Sequence, residues 1–172
     1  MLDLPTSPEK IIKFLDELNI RYELYHHEAV HTVAESTKIH ETITGGHCRN
    51  LFLKDKKGRL VLVTALDKTE VDLKALSKHL ELGRFSFGSP ERLWDNLGVR
   101  PGSVTPLALY NDTARIVRPV LDARMFDHDN ICIHPLINTQ TICFSPNDLM
   151  RFLEKLEYNP IIVDMAAITG DM

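Results

Sequence analysis

The sequence lacks the features of a membrane-spanning or secreted chain. No apolar run approaches the ~20 residues that a helix needs to cross a bilayer. The first ten residues, MLDLPTSPEK, contain neither the basic nor the apolar block of a secretory leader. Cys48, Cys132 and Cys143 form no C-x-x-C pair, which argues against a disulfide framework and a structural zinc site. We therefore expect a cytoplasmic protein that has no membrane partner.

An excess of positive charge is also missing. The 20 Lys and Arg residues are outnumbered by 24 Asp and Glu residues, which gives a formal net charge of −4. This balance provides no general attraction to nucleic acid, so any such binding requires a local patch. The best candidate is the stretch KDKKGR, which supplies Lys54, Lys56, Lys57 and Arg59. The alternative is a solvated turn.

The patterns that are present predict a single α+β domain. A length of 172 residues suffices for one hydrophobic core, and we predict one domain over residues 1–172, with a core of about residues 7–156 and a C-terminal tail. Ser-Pro pairs at Ser7, Ser89 and Ser145 predict helix starts. Apolar runs on both sides of Asp55–Gly58 predict a β-hairpin. Strands predicted at 103–110, 115–122 and 130–136 do not alternate strictly with helices, which favours a mixed, partly antiparallel sheet with surrounding helices.

Histidine is concentrated in the first third of the chain, at positions 26, 27, 31, 40 and 47. Histidines four apart on a helix can bind zinc, but no H-E-x-x-H pattern occurs. We interpret these histidines as exposed or capping residues, and we expect neither a metal nor a cofactor.

Cys48 is a candidate nucleophile, because its neighbours His47 and Arg49 could lower the pKa of the thiol. A distant histidine such as His134 would then serve as the base. The alternative is a small buried hydrophobic residue, which is the commoner state of a lone cysteine. The glycine pair before His47 could also expose N–H groups to a phosphate, although it lacks the P-loop spacing.

Two further segments could contact a substrate. In GSVTP, Gly102 permits a close backbone approach, and such a loop can direct N–H groups at a carbonyl oxygen. The alternative is an ordinary turn. His134 precedes Pro135 at a predicted strand end, where a histidine is either catalytic or a structural hydrogen-bonding group.

Taken together, several segments resemble the YbaK / prolyl-tRNA synthetase editing-domain superfamily, and more narrowly its free-standing ProX or PrdX group. The segments are HHEAVHTVAES, GGHCRNLFLKDKKGRLVLVTA, LGVRPGSVTPLAL, VLDARMF and ICIHPLINTQTICFSPNDLMRFL. They follow one order, and the resemblance extends from about Ser7 to Leu156. It implies a mixed sheet with helices packed around it and a cleft near one edge.

The resemblance also implies an activity, the hydrolysis of the ester that joins a wrong amino acid to tRNA. A synthetase built for proline cannot strongly reject alanine, because missing methylenes are worth only ~1–3 kcal/mol each. A second, smaller pocket that admits alanine and excludes proline restores fidelity. The resemblance also implies that water attacks the ester without a protein nucleophile. The implied partners are tRNA, bound by its acceptor 3′ end and expected to be tRNA(Pro), and prolyl-tRNA synthetase.

Positions that match the family's functional residues follow from the same resemblance. They imply a catalytic group of His134, Gly102 and Arg49. They also imply substrate-binding positions at Asn50, Ser103, Val104, Thr105, Pro106, Asp122, Asn138 and Thr139. Lys54, Lys56, Lys57 and Arg59 would then bind tRNA.

Arg49 departs from the family pattern, which has Lys directly before NLFL. A planar guanidinium does not replace a compact ammonium at a close-fitting site. Three hypotheses therefore stand: a deacylase of alanyl-tRNA(Pro) or of tRNA mischarged with Cys or Ser, a weakened relative that binds tRNA or the synthetase, and a hydrolase that uses Cys48.

Overall fold

The computed structural model describes residues 3–168, except for the side chain of Val33. Within that range the α-helices are α1 (Pro8–Glu17), α2 (Val33–Thr42), α3 (Leu73–His79), α4 (Pro90–Leu97), α5 (Pro146–Lys155) and α6 (Met165–Ile168). The strands are β1 (Glu23–His26), β2 (Gly46–Lys54), β3 (Leu60–Leu66), β4 (Ser86–Phe87), β5 (Val117–Asp122), β6 (Ile131–Ile133), β7 (Gln140–Phe144) and β8 (Ile161–Val163). The predicted α+β class with a mixed sheet is confirmed.

One sheet contains these strands in the order β1-β7-β6-β2-β3-β5-β8, and β4 also pairs with β2. The β6–β2, β3–β5 and β5–β8 pairs are parallel, and the other pairs are antiparallel. Because β3 occupies one edge of β2, the other edge is shared. Strand β6 pairs with Gly46 and His47 at the start of β2, and β4 pairs with Leu53 and Lys54 at its end.

Helix starts follow the local sequence. Ser7, Ser89 and Ser145 each accept a hydrogen bond from a backbone N–H of the first turn, and proline occupies the first helical position after each of them. The buried apolar residues of α1, α4 and α5 pack with Phe52 and Leu62 in one core cluster. Those of α3 and α6 pack with Leu53, Val61 and Val63 in a second cluster. Alternation along β2 and β3 thus places helices on both faces of the sheet.

Two segments differ from the expectations above. The strand predicted at 103–110 is a 3₁₀ helix over Pro106–Asn111, because Pro106 has no N–H for a ladder and the Thr105 hydroxyl caps the N–H of Leu107. Beyond residue 156, where a tail was expected, β8 pairs with β5, and Tyr158, Val163 and Met165 are buried. Residues 169–172 of the expected tail lie outside the described residues. None of the helices in residues 3–168 has the length and apolar character to cross a bilayer.

Candidate active site

A cleft of ≈ 100 Å³ lies where α2 covers the start of β2 and the end of β6. Its walls combine apolar side chains, three polar or sulfur-bearing side chains of the sheet, one serine and four histidines. The lining residues are His27, Val30, Ser36, Ile39, His40, His47, Cys48, Cys132, Ile133, His134 and Thr141. The parallel pairing of β6 with β2 brings His134 and His47 to the same cleft, although 87 positions separate them in the chain.

His134 directly follows β6 and is half-buried in the cleft wall. Its Nδ1 lies 3.0 Å from the carbonyl oxygen of Gln140. Because a carbonyl oxygen only accepts, Nδ1 carries the proton and donates, which leaves the lone pair on Nε2. Burial lowers the pKa of His134, outweighing the Gln140 contact, which raises it. At neutral pH the cleft therefore contains a neutral imidazole with one unprotonated nitrogen.

His27, which also lines the cleft, is held in one tautomer. Its Nδ1 donates to the carbonyl oxygen of Glu28 at 2.8 Å, and its Nε2 accepts from the Thr141 hydroxyl at 2.8 Å. The N–H of His27 also donates to the carbonyl of Thr139, which joins β1 to the loop after His134.

His40 of α2 and His47 of β2 stack with ring centroids 4.1 Å apart. The Nε2 of His47 donates to the carbonyl oxygen of Ile43 at 2.6 Å, and the Nδ1 of His40 lies 3.0 Å from a carboxylate oxygen of Asp67. Burial and the neighbouring His47 lower the pKa of His40, while Asp67 opposes this shift. The stack attaches α2 to the sheet beside His134.

The loop from Gly102 to Pro106 leaves several backbone N–H groups without a partner in the described chain, and Gly102 and Val104 are its accessible members. Gly102 has φ +90°, a left-handed conformation that favours glycine. The N–H of Ser103 donates to Arg100, but the N–H groups of Gly102, Val104 and Thr105 have no acceptor among residues 3–168. A Cβ on Gly102 would lie 3.6 Å from the Asn138 amide nitrogen. The loop therefore adjoins the segment that begins at His134.

Arg49 is not one of the described residues that line the cleft. Its Nη2 donates to the carbonyl of Thr69 at 2.8 Å, and its buried Nε has no hydrogen-bond partner. The guanidinium is thus directed at the turn after β3.

Two other predicted substrate contacts have structural partners. Asn50 accepts a 2.6 Å hydrogen bond from the buried Thr64 hydroxyl. The buried carboxylate of Asp122 accepts from the N–H groups of Leu66 and Arg124. Both side chains connect neighbouring parts of the sheet.

The nucleophile interpretation of Cys48 predicted a lowered thiol pKa, and this is wrong. Burial raises the pKa of Cys48, and the nearby carboxylates of Asp122 and Asp67 raise it further. A thiol in this environment stays protonated and unreactive near neutral pH.

The four basic residues of the β2–β3 turn lie far from the cleft. The stretch of β2 from His47 to Lys54 spans roughly 23 Å at ~3.3 Å per residue. Arg59 pairs with the buried Asp55 carboxylate at 2.7 Å, while Lys56 and Lys57 are exposed. The turn and the cleft are therefore separate regions of the surface.

The histidines at the cleft were interpreted from sequence as exposed or capping residues, and for three of them this is wrong. His27, His40 and His47 are half-buried and hydrogen-bonded. The sequence offered no local signal for this burial, because β6, which pairs with the start of β2, is distant in the chain. Among residues 3–168, the structure contains no group of three His, Cys, Asp or Glu side chains arranged to hold a metal ion.

Comparisons with known proteins agree with this architecture. Residues 27–152 match the family described as the aminoacyl-tRNA editing domain. The chain is 38% identical over 157 residues to the prolyl-tRNA synthetase associated domain-containing protein 1 of Danio rerio, covering 90% of this chain and 85% of that protein. It is 33% identical over 149 residues to the prolyl-tRNA editing protein ProX of Acetoanaerobium sticklandii, covering 86% and 91%. A crystal structure described as a candidate trans-editing enzyme for prolyl tRNA synthetase has the same fold, with a TM-score of 0.70 and 15% identity over 96% of this chain and 99% of that one.

Proposed function

Because the chain belongs to the family of aminoacyl-tRNA editing domains, we propose that it hydrolyses the ester bond of mischarged tRNA, with alanyl-tRNA(Pro) as its substrate. The relative named prolyl-tRNA editing protein ProX, which aligns over most of both chains, supports this choice. The protein would act on tRNA that prolyl-tRNA synthetase has released.

The observation that carries the proposal is the state of His134. Its Nδ1 is committed to Gln140, and its pKa is lowered, so Nε2 can accept a hydrogen bond at neutral pH. In the proposed reaction, Nε2 orients water or a hydroxyl of the terminal ribose. Water adds to the ester carbonyl, the bond to the ribose oxygen breaks, and that oxygen takes a proton. The products are the free amino acid and tRNA with its terminal hydroxyl restored.

In the proposed reaction, backbone N–H groups of the loop from Gly102 to Pro106 stabilise the negative charge that develops on the ester carbonyl oxygen. The unpaired N–H groups of Gly102 and Val104 can donate to the carbonyl oxygen as it becomes negative in the transition state, whereas Thr105 is fully buried and its N–H does not reach the cleft surface. Neither Ser103, whose N–H is already used, nor Pro106, which has no N–H, contributes a donor. In the proposed complex, the apolar side chains of Val30, Ile39 and Ile133 in the cleft wall contact the methyl group of alanine.

A deacylation panel tests this function. Wild-type protein is incubated with tRNA(Pro) charged with alanine or proline and with tRNAs charged with cysteine or serine. We expect rapid release of alanine, with prolyl-tRNA(Pro) spared by at least ~100-fold. Faster release of cysteine or serine would support deacylase activity but would change the proposed substrate to tRNA mischarged with that amino acid. Hydrolysis of prolyl-tRNA(Pro) at the alanine rate, or an acyl group trapped on the protein, would contradict the proposal.

A second candidate function is favoured by Arg49. Because its guanidinium donates to Thr69, this chain could bind tRNA or the synthetase with weakened hydrolysis. The variant Arg49→Lys separates the two candidates. A rise of about tenfold or more in deacylation would favour the weakened relative, whereas an unchanged or lower rate supports the active deacylase.

A further inference from the structure

The turn between β2 and β3 carries exposed cations on a backbone that is held in place by hydrogen bonds. The Asp55 side chain is buried, and its carboxylate accepts hydrogen bonds from Lys57 N, Arg59 N, Arg59 Nε and Gly83 N at 2.8–3.1 Å. The pKa of Asp55 is lowered, chiefly by Arg59. The negative charge of Asp55 is therefore satisfied inside the turn, together with the positive charge of Arg59.

Other cations beside the turn have no such partner. Lys54, Lys56, Lys57 and Arg84 form no ion pair within residues 3–168. Arg84 lies next to the turn because its neighbour Gly83 donates to Asp55. Along the chain, the exposed acidic residue nearest to Arg84 is Glu81, which follows α3. This end of the sheet is positively charged on a chain whose net charge is −4.

An aromatic ring accompanies these charges. Strand β4 pairs Phe87 with Leu53 and Ser86 with Lys54, which places Phe87 beside the turn. Phe87 is 63% exposed, the largest value among the large hydrophobic side chains of the described residues. An exposed ring beside unpaired cations is the arrangement with which proteins bind RNA strands, because cations attract phosphates and rings stack on bases.

We propose that this turn surface, formed by Lys54, Lys56, Lys57, Arg84 and Phe87, binds the substrate tRNA at a place separate from its acylated end. The inference rests on the proposed function, because it takes the RNA to be tRNA. The lysines and Arg84 contact phosphates, and Phe87 stacks on an unpaired base. The ~23 Å between His47 and Lys54 excludes one nucleotide from occupying both regions. The turn surface therefore anchors the RNA while the cleft holds its 3′ end.

Direct binding of uncharged tRNA(Pro) tests the turn surface without requiring hydrolysis. The dissociation constant is measured by fluorescence anisotropy over a range of salt concentrations. For the double variant Lys56→Ala/Lys57→Ala, we expect binding about tenfold weaker near ~0.15 M salt, and a slope of log K against log salt smaller by about 2. The matched control is Lys10→Ala/Lys13→Ala, which removes two exposed lysines from α1 and should leave both quantities unchanged.

Phe87→Ala should weaken binding about tenfold with the salt slope unchanged, because a stacking contact neutralises no phosphate. The exposure of Phe87 leads us to expect an unchanged melting temperature. Wild-type affinity in both the double-lysine and the Phe87 variants would overturn the proposal. So would retained tRNA affinity together with lost binding to prolyl-tRNA synthetase, since the turn surface would then bind protein.

Hydrolysis of a short substrate separates this inference from the proposed function. An adenosine esterified with alanine reaches the cleft but cannot extend to the turn, so kcat/KM on it should be the same in the turn variants and the wild type. A loss of activity on this short substrate would contradict a separate anchoring role. If wild-type protein hydrolyses neither substrate, the proposed function fails, and the binding measurements still decide the turn surface.

Discussion

The two ends of the β2–β3 hairpin hold their ionisable side chains in opposite states, neutral at the cleft and charged at the turn. At the cleft, burial is the largest influence on His134 and His40, so their pKa values fall and the rings stay neutral. At the turn, hydrogen bonds outweigh burial, so the pKa of Asp55 falls and its carboxylate stays charged. The number of hydrogen-bond partners that stabilise the charged form makes the difference: donors for a carboxylate and acceptors for an imidazolium. Asp55 receives four donors, whereas each imidazole receives one or two contacts that also fix its tautomer.

The largest expected effect comes from removing the lone pair at the cleft. His134→Ala should lower kcat for alanyl-tRNA(Pro) by at least ~100-fold, because no other group then accepts the hydrogen bond at that position. Single-turnover deacylation measures the loss. The exposed His79→Ala on α3 is the matched control and should keep wild-type kcat. A fall of less than about threefold in the His134 variant would remove His134 from the reaction.

A substitution in the β2–β3 turn should affect the stability of the fold rather than the chemical step. Asp55→Ala should lower Tm by roughly 5–10 °C, because it deprives three backbone N–H groups and Arg59 of their acceptor. Thermal unfolding followed by circular dichroism measures the shift. Asp95→Ala, which removes an exposed carboxylate from α4, should change Tm by less than ~2 °C. Equal shifts in the two variants would show that the buried carboxylate does not organise the turn.

As the pH falls, the stability contributed by the cleft histidines should be lost before the stability contributed by Asp55. The folded-state pKa values of His134 and His40 lie below 6.5, so the unfolded chain takes up protons first as the pH falls. This part of the stability is complete above about pH 6.5 and is lost as the pH falls through the folded values. The groups facing His40 are His47, Asp67, Lys68 and Ser36. By the same sign, the contribution of Asp55 is lost only below its unfolded value of 3.8.

A pH series of Tm measures this order. We expect Tm of the wild type to fall between about pH 7 and pH 5, with a smaller fall in His134→Gln, which does not titrate. An identical pH dependence in the two proteins would contradict the role assigned to burial at His134.

The smallest effect is expected at Cys48. Cys48→Ala should change kcat by less than ~2-fold, because the thiol stays protonated and no step uses it. A loss near that of His134→Ala, seen also after thiol alkylation, would restore the cysteine hydrolase.

Several features of the fold could be predicted because they depend on neighbours in the chain. The Ser-Pro helix starts and the hairpin around Asp55–Gly58 follow from capping and turn chemistry. Family resemblance predicted roles for His134 and Gly102, and the structure places Gly102 close to Asn138, four residues after His134. The resemblance also pointed to Arg49, whose side chain instead donates to Thr69. A motif identifies a position, but the surrounding packing decides where a long side chain points.

By itself, the sequence determined the domain class, the family, and the local segments whose caps and apolar periods lie within a few residues of each other. Tertiary structure alone decided that β6 pairs in parallel with β2, so that His134 and His47 share one cleft. It also placed residues 161–163 beside β5 as a strand. The physical reason is that capping depends on adjacent residues, whereas strand pairing and burial depend on residues that only the folded chain brings into contact.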